Sequence, residues 1–598
     1  MKTTSDDRDL ARREIEAGRL ESAQQHLRRF LKHTPDDVPA MLMLAQTVRM
    51  QGQPAEAEPI YQKALRARPG HPDALYQLAS TYKDLGQNDL AERTFGQLLE
   101  LAPNHAEGLS GLGALRAGQK RYDEALPLLE RAVKARPEYA QGHHNLGVCL
   151  GLSGRREEAV NELQEAIRLR ADYTEAWYNL GSVLDLLKRR EESIVMLRQA
   201  LRLNPKHTGA RTNLFHVLHK LGRFSEAQTS ILEALREQPT SAEMHANLGT
   251  VLQMQGRIRE SLACFDVALR FDPHCAMAQY NRATTLLVRG KWLEGWPGYE
   301  YRFGLDGKVS HQYRHYPQPR WNGGPLDGKR IVVWAEQGLG DVLQFVRFAP
   351  QLAARGAKVI VECPRSMAAI VRTASGIERV AAEGDPASQA DLHTPVASLP
   401  GLLKTTVATI PADVPYLHAP AEKIERWQQI LGPKRGLRVG IAWRGNPDHG
   451  HDHWRSIALR RFAPLAAMPG VELISLQKGP PRAEIAQVSG KFAVWESPVP
   501  DPEDAGESLL ETAALICCLD LVICVDTAVA HLTGALAKPV WVALAAKPDW
   551  RWLNRGTRTN WYPTMRLYRQ KRLCRWRDVF ARMAADLAKL AAASGAGP

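Results

Sequence analysis

The sequence holds little that would cross-link a fold or tie it to a membrane. Its eight cysteines are scattered among 598 residues with no paired C-x-x-C spacing that would point to a disulfide framework or a zinc site, and they read as buried free thiols. No apolar run is long enough to span a bilayer. The most apolar late stretch, ending near Ala546, is broken by Lys538 and Pro539. The opening segment, MKTTSDDRDLARREIE, lacks the apolar core of a secretory signal, so a cytoplasmic location is expected. A net charge of +13 is present without a basic tract, because Lys and Arg are dispersed along the chain. No nucleic-acid partner is expected from that pattern, and a phosphate-bearing ligand fits the basic balance equally well. The length exceeds what one hydrophobic core serves, so two or three domains are expected.

What is abundant is periodicity. Pro35, Pro69, Pro103, Pro137, Pro205, Pro239 and Pro273 lie on one 34-residue grid, with Ala171 in the single gap. Gly18, Gly52, Gly86, Gly154, Gly222, Gly256 and Gly290 follow the same period at positions where two helices must turn tightly, with Lys120 and Lys188 as exceptions. Small residues recur in both helices of each unit, for example Ala45, Ala79, Gly113, Gly147 and Gly181, and allow close helix approach. Asn145, Asn179, Asn213, Asn247 and Asn281 form a further ladder, two positions before the small residue of the first helix. An amide carries both a donor and an acceptor, so such a row can bind a peptide backbone without regard to its sequence; equally, it can tie neighbouring helices together.

After Gly290 the period fades into KWLEGWPGYEYRFG, where Trp292, Trp296 and Tyr299 suit an apolar cap on the last repeat. Residues 306–328 read as a linker. From Lys329, short apolar runs alternate with amphipathic stretches, the pattern of parallel βα units. RIVVWAE and AKVIVEC read as strands of a first lobe at 329–420, and LRVGIAW, VELISLQ, KFAVWE, LDLVICVD and PVWVAL as strands of a second lobe at 421–560. A basic aromatic tail and a terminal helix complete the chain at 561–598. Two such lobes leave a cleft at their strand ends, where ligands bind in open α/β sheets.

Three loops at those ends carry the candidate chemistry. GLGD, Gly338 to Asp341, joins a strand to a helix; Gly338 and Gly340 permit close backbone approach, and Asp341 is either a general base or a helix cap. Gln344 and Arg347 lie one turn along and are candidates for shaping an acceptor site. In WRGNPDHGHDHWRS, Trp443, Asn446 and Arg455 belong to a polar loop in which Arg455 is either a phosphate partner or half of a surface ion pair. His449, His451, Asp452 and His453 lack the helical spacing of metal ligands, so no metal is assigned. In VDTAVAHL, Asp526 orders a turn, Thr527 opens a helix, and His531 lies on its first turn; free N–H groups there suit a diphosphate, or the segment is simply a capped amphipathic helix.

The repeats resemble the tetratricopeptide repeat, with eight copies and a partial ninth across residues 2–305, and the asparagine ladder is similar to that of the O-GlcNAc transferase superhelix. The three loops resemble the GT-B glycosyltransferases, most closely the heptosyltransferase-like family 9, through D-T-x-x-x-H at Asp526, Thr527 and His531 and through GLGD. Where that family has a lysine after the second-lobe strand, this sequence offers His453 or Arg455. The resemblance implies an α plus α/β protein, a repeat superhelix followed by paired Rossmann-type lobes. It also implies inverting, metal-independent transfer from a nucleotide-diphosphate sugar, with Asp341 as base and Trp443, Asn446, Arg455, Asp526, Thr527 and His531 on the donor side. No cofactor is implied beyond the sugar nucleotide as substrate. The acceptor is expected to be Ser or Thr of an extended polypeptide on the repeats; the alternatives are a glycan or lipid-linked acceptor, or a scaffold without activity that binds a partner protein.

Overall fold

The computed structural model describes residues 2–305, 316–382, 390–447, 452–499 and 508–593. By its internal contacts the chain divides between Ser230 and Ile231 into two units.

In the first unit the 34-residue period becomes a series of antiparallel helix pairs, such as Pro72–Asp84 with Asn88–Leu101 and Thr174–Leu186 with Arg190–Leu203. Left-handed residues make the turns: Gly52, Gly86, Gly154 and Gly222 have φ of 78°, 73°, 93° and 71°. Lys120 and Lys188 adopt the same geometry at 63° and 64°, so the two exceptions to the glycine pattern keep the turn at a steric cost of about 1 kcal/mol each. The small residues are required by contact. A Cβ on Gly181 would fall 2.7 Å from Leu197 Cγ and 3.3 Å from the Ser193 carbonyl oxygen. Charge stays outside, as in the Arg–Glu pairs Arg155–Glu158, Arg189–Glu192 and Arg223–Glu226 at the start of successive second helices.

The second unit opens with two further hairpins, Ala242–Met254 with Ile258–Phe271 and Ala276–Val288 with the shortened Trp292–Tyr299, followed by a 3-10 turn at Glu300–Gly304. Its first lobe holds β1 (Arg330–Trp334), β2 (Lys358–Cys363), β3 (Arg379–Ala382) and β4 (Leu392–Pro395), all parallel in the order β3-β2-β1-β4. The second lobe holds β5 (Leu437–Ala442), β6 (Val471–Ser475), β7 (Leu521–Val525), β8 (Val540–Leu544) and β9 (Met565–Arg569), parallel in the order β6-β5-β7-β8-β9. The architecture is therefore α plus α/β.

Four details differ from the sequence reading. The first lobe has two strands beyond the pair read from the sequence, β3 and β4, whose four-residue length hides any alternation. Residues 316–328 are not a free linker, since Trp321 and Leu326 are buried and the Trp321 N–H donates to the His393 carbonyl. KFAVWE forms only a single bridge between Trp495 and Ile474, so its alternating residues mark the sheet's margin rather than a strand. The tail contains β9, which completes the second sheet; Arg566 and Arg569 disguise it as a solvated segment, yet Met565, Leu567 and Tyr568 are buried.

The aromatic cap is present. Trp292, Trp296 and Tyr299 are buried against Trp550, with ring centroids 5.8, 5.2 and 5.7 Å away, and Trp296 Nε1 donates to the Thr405 carbonyl at 2.8 Å.

Candidate functional site

The GLGD loop leaves the C-terminal end of β1 and opens the Leu339–Phe345 helix. Asp341 is the third residue of that helix, and its Oδ2 accepts the Gly338 N–H at 2.9 Å, so it caps the helix from inside rather than from the N-cap position. Its Oδ1 is held by the guanidinium of Arg551. Arg551 is 7% exposed and spends its other nitrogens on Gln344 Oε1 (2.7 Å) and Asp549 Oδ1 (2.8 Å). A buried cation thus joins Asp341 and Gln344 of the first lobe to the Trp550–Trp552 turn of the second. Gln344 is fully buried, and its Nε2 donates to nothing among the described residues.

On the second lobe, β7 ends at Val525 and the Ala528–Ala535 helix follows. Arg455 donates from Nη1 to the Asp526 carbonyl at 3.0 Å and from Nε to Asp452 Oδ1 at 3.1 Å. Arg455 is therefore drawn to the turn that precedes the helix while also forming an ion pair with Asp452. Burial, with the Asp549 carboxylate nearby, pushes the Asp526 carboxyl up to about 6 despite the opposing Arg455. Thr527 Oγ1 is buried and unbonded among the described residues, at the mouth of a helix whose first N–H groups have no intrahelical acceptor. His531 donates or accepts through Nδ1 with the Tyr562 hydroxyl at 3.0 Å and stacks on Trp552 at 5.3 Å. Burial first, then Arg551, Arg347 and Arg455, holds it well below the usual imidazole range, so it is neutral at physiological pH.

The two lobes meet at this helix. A Cβ on Gly340 would lie 2.9 Å from His531 Cδ2, which is why a glycine is needed there. Arg347 lies beneath, bonded to the Trp561 carbonyl at 2.6 Å and the Tyr416 hydroxyl at 2.7 Å, with its cation over the Tyr562 ring.

The structure thus gathers Gly338, Gly340, Asp341, Gln344, Arg455, Asp526, Thr527 and His531 into one neighbourhood. Trp443 is buried just after β5, with its backbone N–H on Gln477 Oε1 at 3.0 Å, and Asn446 is exposed further along that loop. His449 and His451 lie outside the described residues. Sequence reasoning missed Arg551, Asp549 and Tyr562. The available signal was PDWRW, an acid and a base set between aromatics just after a buried strand.

The segment entering the GLGD loop is fixed by the last repeat. Glu336, with a fully buried side chain, accepts from Arg302 Nε and Nη2 at 2.8 and 2.6 Å. Gln337, in the left-handed region at φ 62°, donates to the Tyr299 hydroxyl at 3.1 Å.

On the repeats, the ladder amides reach back one hairpin. In the first unit Asn145 Nδ2 donates to Ser110 Oγ at 2.9 Å, Asn179 Nδ2 meets His144 Nε2 at 3.0 Å, and Asn213 Nδ2 donates to Ser182 Oγ at 2.9 Å. In the second unit Asn281 Nδ2 donates to Thr250 Oγ1 at 3.0 Å, whereas Asn247 is fully buried and presents no atom at the surface.

Comparison with known proteins agrees with this division. Tetratricopeptide repeat models match residues 8–72, 48–115, 105–172, 153–211 and 186–246. The model for glycosyltransferase family 9 (heptosyltransferase) matches residues 505–547, the segment that carries Asp526, Thr527 and His531. The N-terminal half is a tetratricopeptide repeat array, and a heptosyltransferase-like segment lies in the second lobe. Protein FlbA of Caulobacter vibrioides is 27% identical over 330 residues, covering 50% of this chain and 53% of FlbA; the chain thus spans about half the length of this curated relative. Among solved structures, YrrB, a TPR protein with an unusual peptide-binding site, is 22% identical over 31% of this chain and 95% of its own, with a TM-score of 0.25. The thermophilic TPR protein TTC0263 of Thermus thermophilus is 26% identical over 30% of this chain and 98% of its own, with a TM-score of 0.28. No described helix is long and apolar enough to cross a membrane.

Proposed function

We propose that the chain is a glycosyltransferase that moves a sugar from a nucleoside-diphosphate donor to a hydroxyl of a polypeptide held by the repeats. The observation that carries this reading is the buried Thr527 Oγ1, unbonded among the described residues, at the N-terminus of the Ala528–Ala535 helix, inside the segment that matches the family 9 model. Free helix N–H groups, the positive end of the helix dipole and Arg455 provide the donors and charge that a diphosphate needs. In the proposed reaction Asp341 takes the proton of the acceptor hydroxyl while that oxygen attacks the anomeric carbon from the face opposite the diphosphate. The bond from the anomeric carbon to the diphosphate oxygen breaks with inversion, and the leaving negative charge settles on the helix terminus, Thr527 and Arg455. Arg551 on Oδ1 holds the Asp341 carboxylate in place, and neutral His531 adds a donor or acceptor without adding charge.

A thermal-shift screen against UDP-, GDP-, ADP- and dTDP-sugars tests the donor half. Stabilisation by one nucleotide class that disappears in Thr527→Ala supports the reading; no stabilisation by any of them sinks it. Asp341→Asn should bind the donor as the unaltered chain does and transfer no sugar. The family name, heptosyltransferase, favours as a second reading a glycan acceptor, which an acceptor array of glycans and Ser/Thr peptides would separate from the first.

A further inference from the structure

On the first helix of each hairpin, two positions flank the ladder residue on the same face. Residues 76, 77 and 80 and their equivalents at 34-residue intervals, ending at 212, 213 and 216, make up this face over five consecutive repeats of the first unit. The hydrogen bonds from Asn145 to Ser110, Asn179 to His144 and Asn213 to Ser182 run between these positions and knit them into one strip. The strip contains no Asp, Glu, Lys or Arg, although a chain that is 24% charged would place about three or four among so many positions. His144 does not restore a charge, because burial lowers its pKa. On the same helices, charges begin three residues to either side: Asp73, Glu107 and Glu175 precede the strip, and Lys83 and Asp185 follow it; Arg49, which donates to Gln77 Oε1 at 2.7 Å, is paired with Asp84.

A ligand side chain with a full charge would lose water on this face and gain no counter-ion. Hydroxyl and amide groups would instead find hydroxyls and amides. Asn179 and Asn213 each spend one N–H on the preceding hairpin, and their Oδ1 atoms accept nothing among the described residues. Each therefore retains an acceptor and a second N–H, the complement of a peptide unit.

We infer that this face of the first unit binds an extended polypeptide segment that is polar but uncharged, rich in Ser, Thr, Asn and Gly. The inference deepens the proposed function by naming the chemistry of its acceptor, and only the link to transfer rests on that reading.

The test is fluorescence anisotropy of the full chain, without any sugar nucleotide, against labelled peptides of about twenty residues, long enough to cross several repeats. One peptide repeats Gly-Thr-Ser-Asn; two others carry Lys or Glu at every fourth position. The neutral peptide should bind at least about tenfold more tightly than either charged one. Asn179→Ala with Asn213→Ala should weaken it by about the same factor. Val148→Glu, which places a carboxylate on the half-exposed floor and removes no hydrogen bond, should weaken it too, with helix content by circular dichroism unchanged. Equal binding of the charged peptides, or no binding of any peptide, overturns the inference. A chain that binds the neutral peptide and transfers no sugar overturns the proposed function alone; one that transfers sugar but accepts charged peptides equally overturns the inference alone.

Discussion

The two units handle charge in opposite ways. In the repeat unit, ion pairs such as Arg189–Glu192 are local and wet, with side chains 37% and 54% exposed. In the second unit, the pairs around the candidate site are buried: Arg302–Glu336 is 1% and 0% exposed, and Arg551–Asp341, 7% and 16% exposed, spans more than two hundred residues. Local pairs in water contribute little, whereas a buried pair is costly to break because the surviving partner is left without solvent. The repeats are therefore stabilised by neighbour-to-neighbour packing, and the α/β unit by a few long-range electrostatic joints placed around its candidate site.

That contrast can be broken most sharply at Arg302. Arg302→Met should destabilise the second unit by about 3–5 kcal/mol by stranding Glu336, and Arg302→Met with Glu336→Leu should recover much of the loss. Urea unfolding followed by tryptophan fluorescence reads this unit selectively, since every tryptophan except Trp177 lies in it. A smaller effect is expected from pH. Asp526 holds its proton up to about 6, above its unfolded value, so the folded state binds more protons than the unfolded between those values and stability falls as pH rises through that window. The difference between the unaltered chain and Asp526→Asn should change by about 2–3 kcal/mol between pH 4 and pH 7, in favour of the variant at the higher pH. In the repeats the comparable lever is volume: Gly181→Val should cost about 1–3 kcal/mol by driving a side chain into Leu197, measured as lost helix signal on heating. Lys188→Gly should stabilise by about 1 kcal/mol by relieving the left-handed lysine. Arg189→Ala should change stability by less than about 0.5 kcal/mol; a loss of 2 kcal/mol there would end the distinction drawn between the two units.

The same difference explains what the sequence made legible. A repeat is written locally, so Pro69 or Gly86 announces its turn, and even Lys120 could be recognised as filling a glycine's place. The strands of the second unit were readable where they are long and apolar, as in LDLVICVD. They were not readable in β3, which has four residues, or in β9, where Arg566 and Arg569 mask the buried positions between them. Asp341, Thr527 and His531 stand in recognisable turns. Arg551 does not, because its importance comes from partners in another lobe, which no local pattern encodes. Whether Asp341 caps or catalyses was open in the sequence; the structure adds the capping bond to Gly338 and leaves the proton transfer to the proposed chemistry.

The fastening of Glu336 and Gln337 to Arg302 and Tyr299 bears on how such a chain can be rebuilt. Hairpins of the first unit are interchangeable parts, since each is a 34-residue module that could be added, removed or borrowed from another array. The last hairpin of the array is not a module in that sense. A cut at residue 305, where the period ends, would separate Glu336 from the Arg302 guanidinium and Trp550 from Trp292, Trp296 and Tyr299. The smallest transplantable piece therefore begins before Trp292 and carries a hairpin of the array with it, so this terminal hairpin is inherited with the α/β domain rather than with the repeats it resembles.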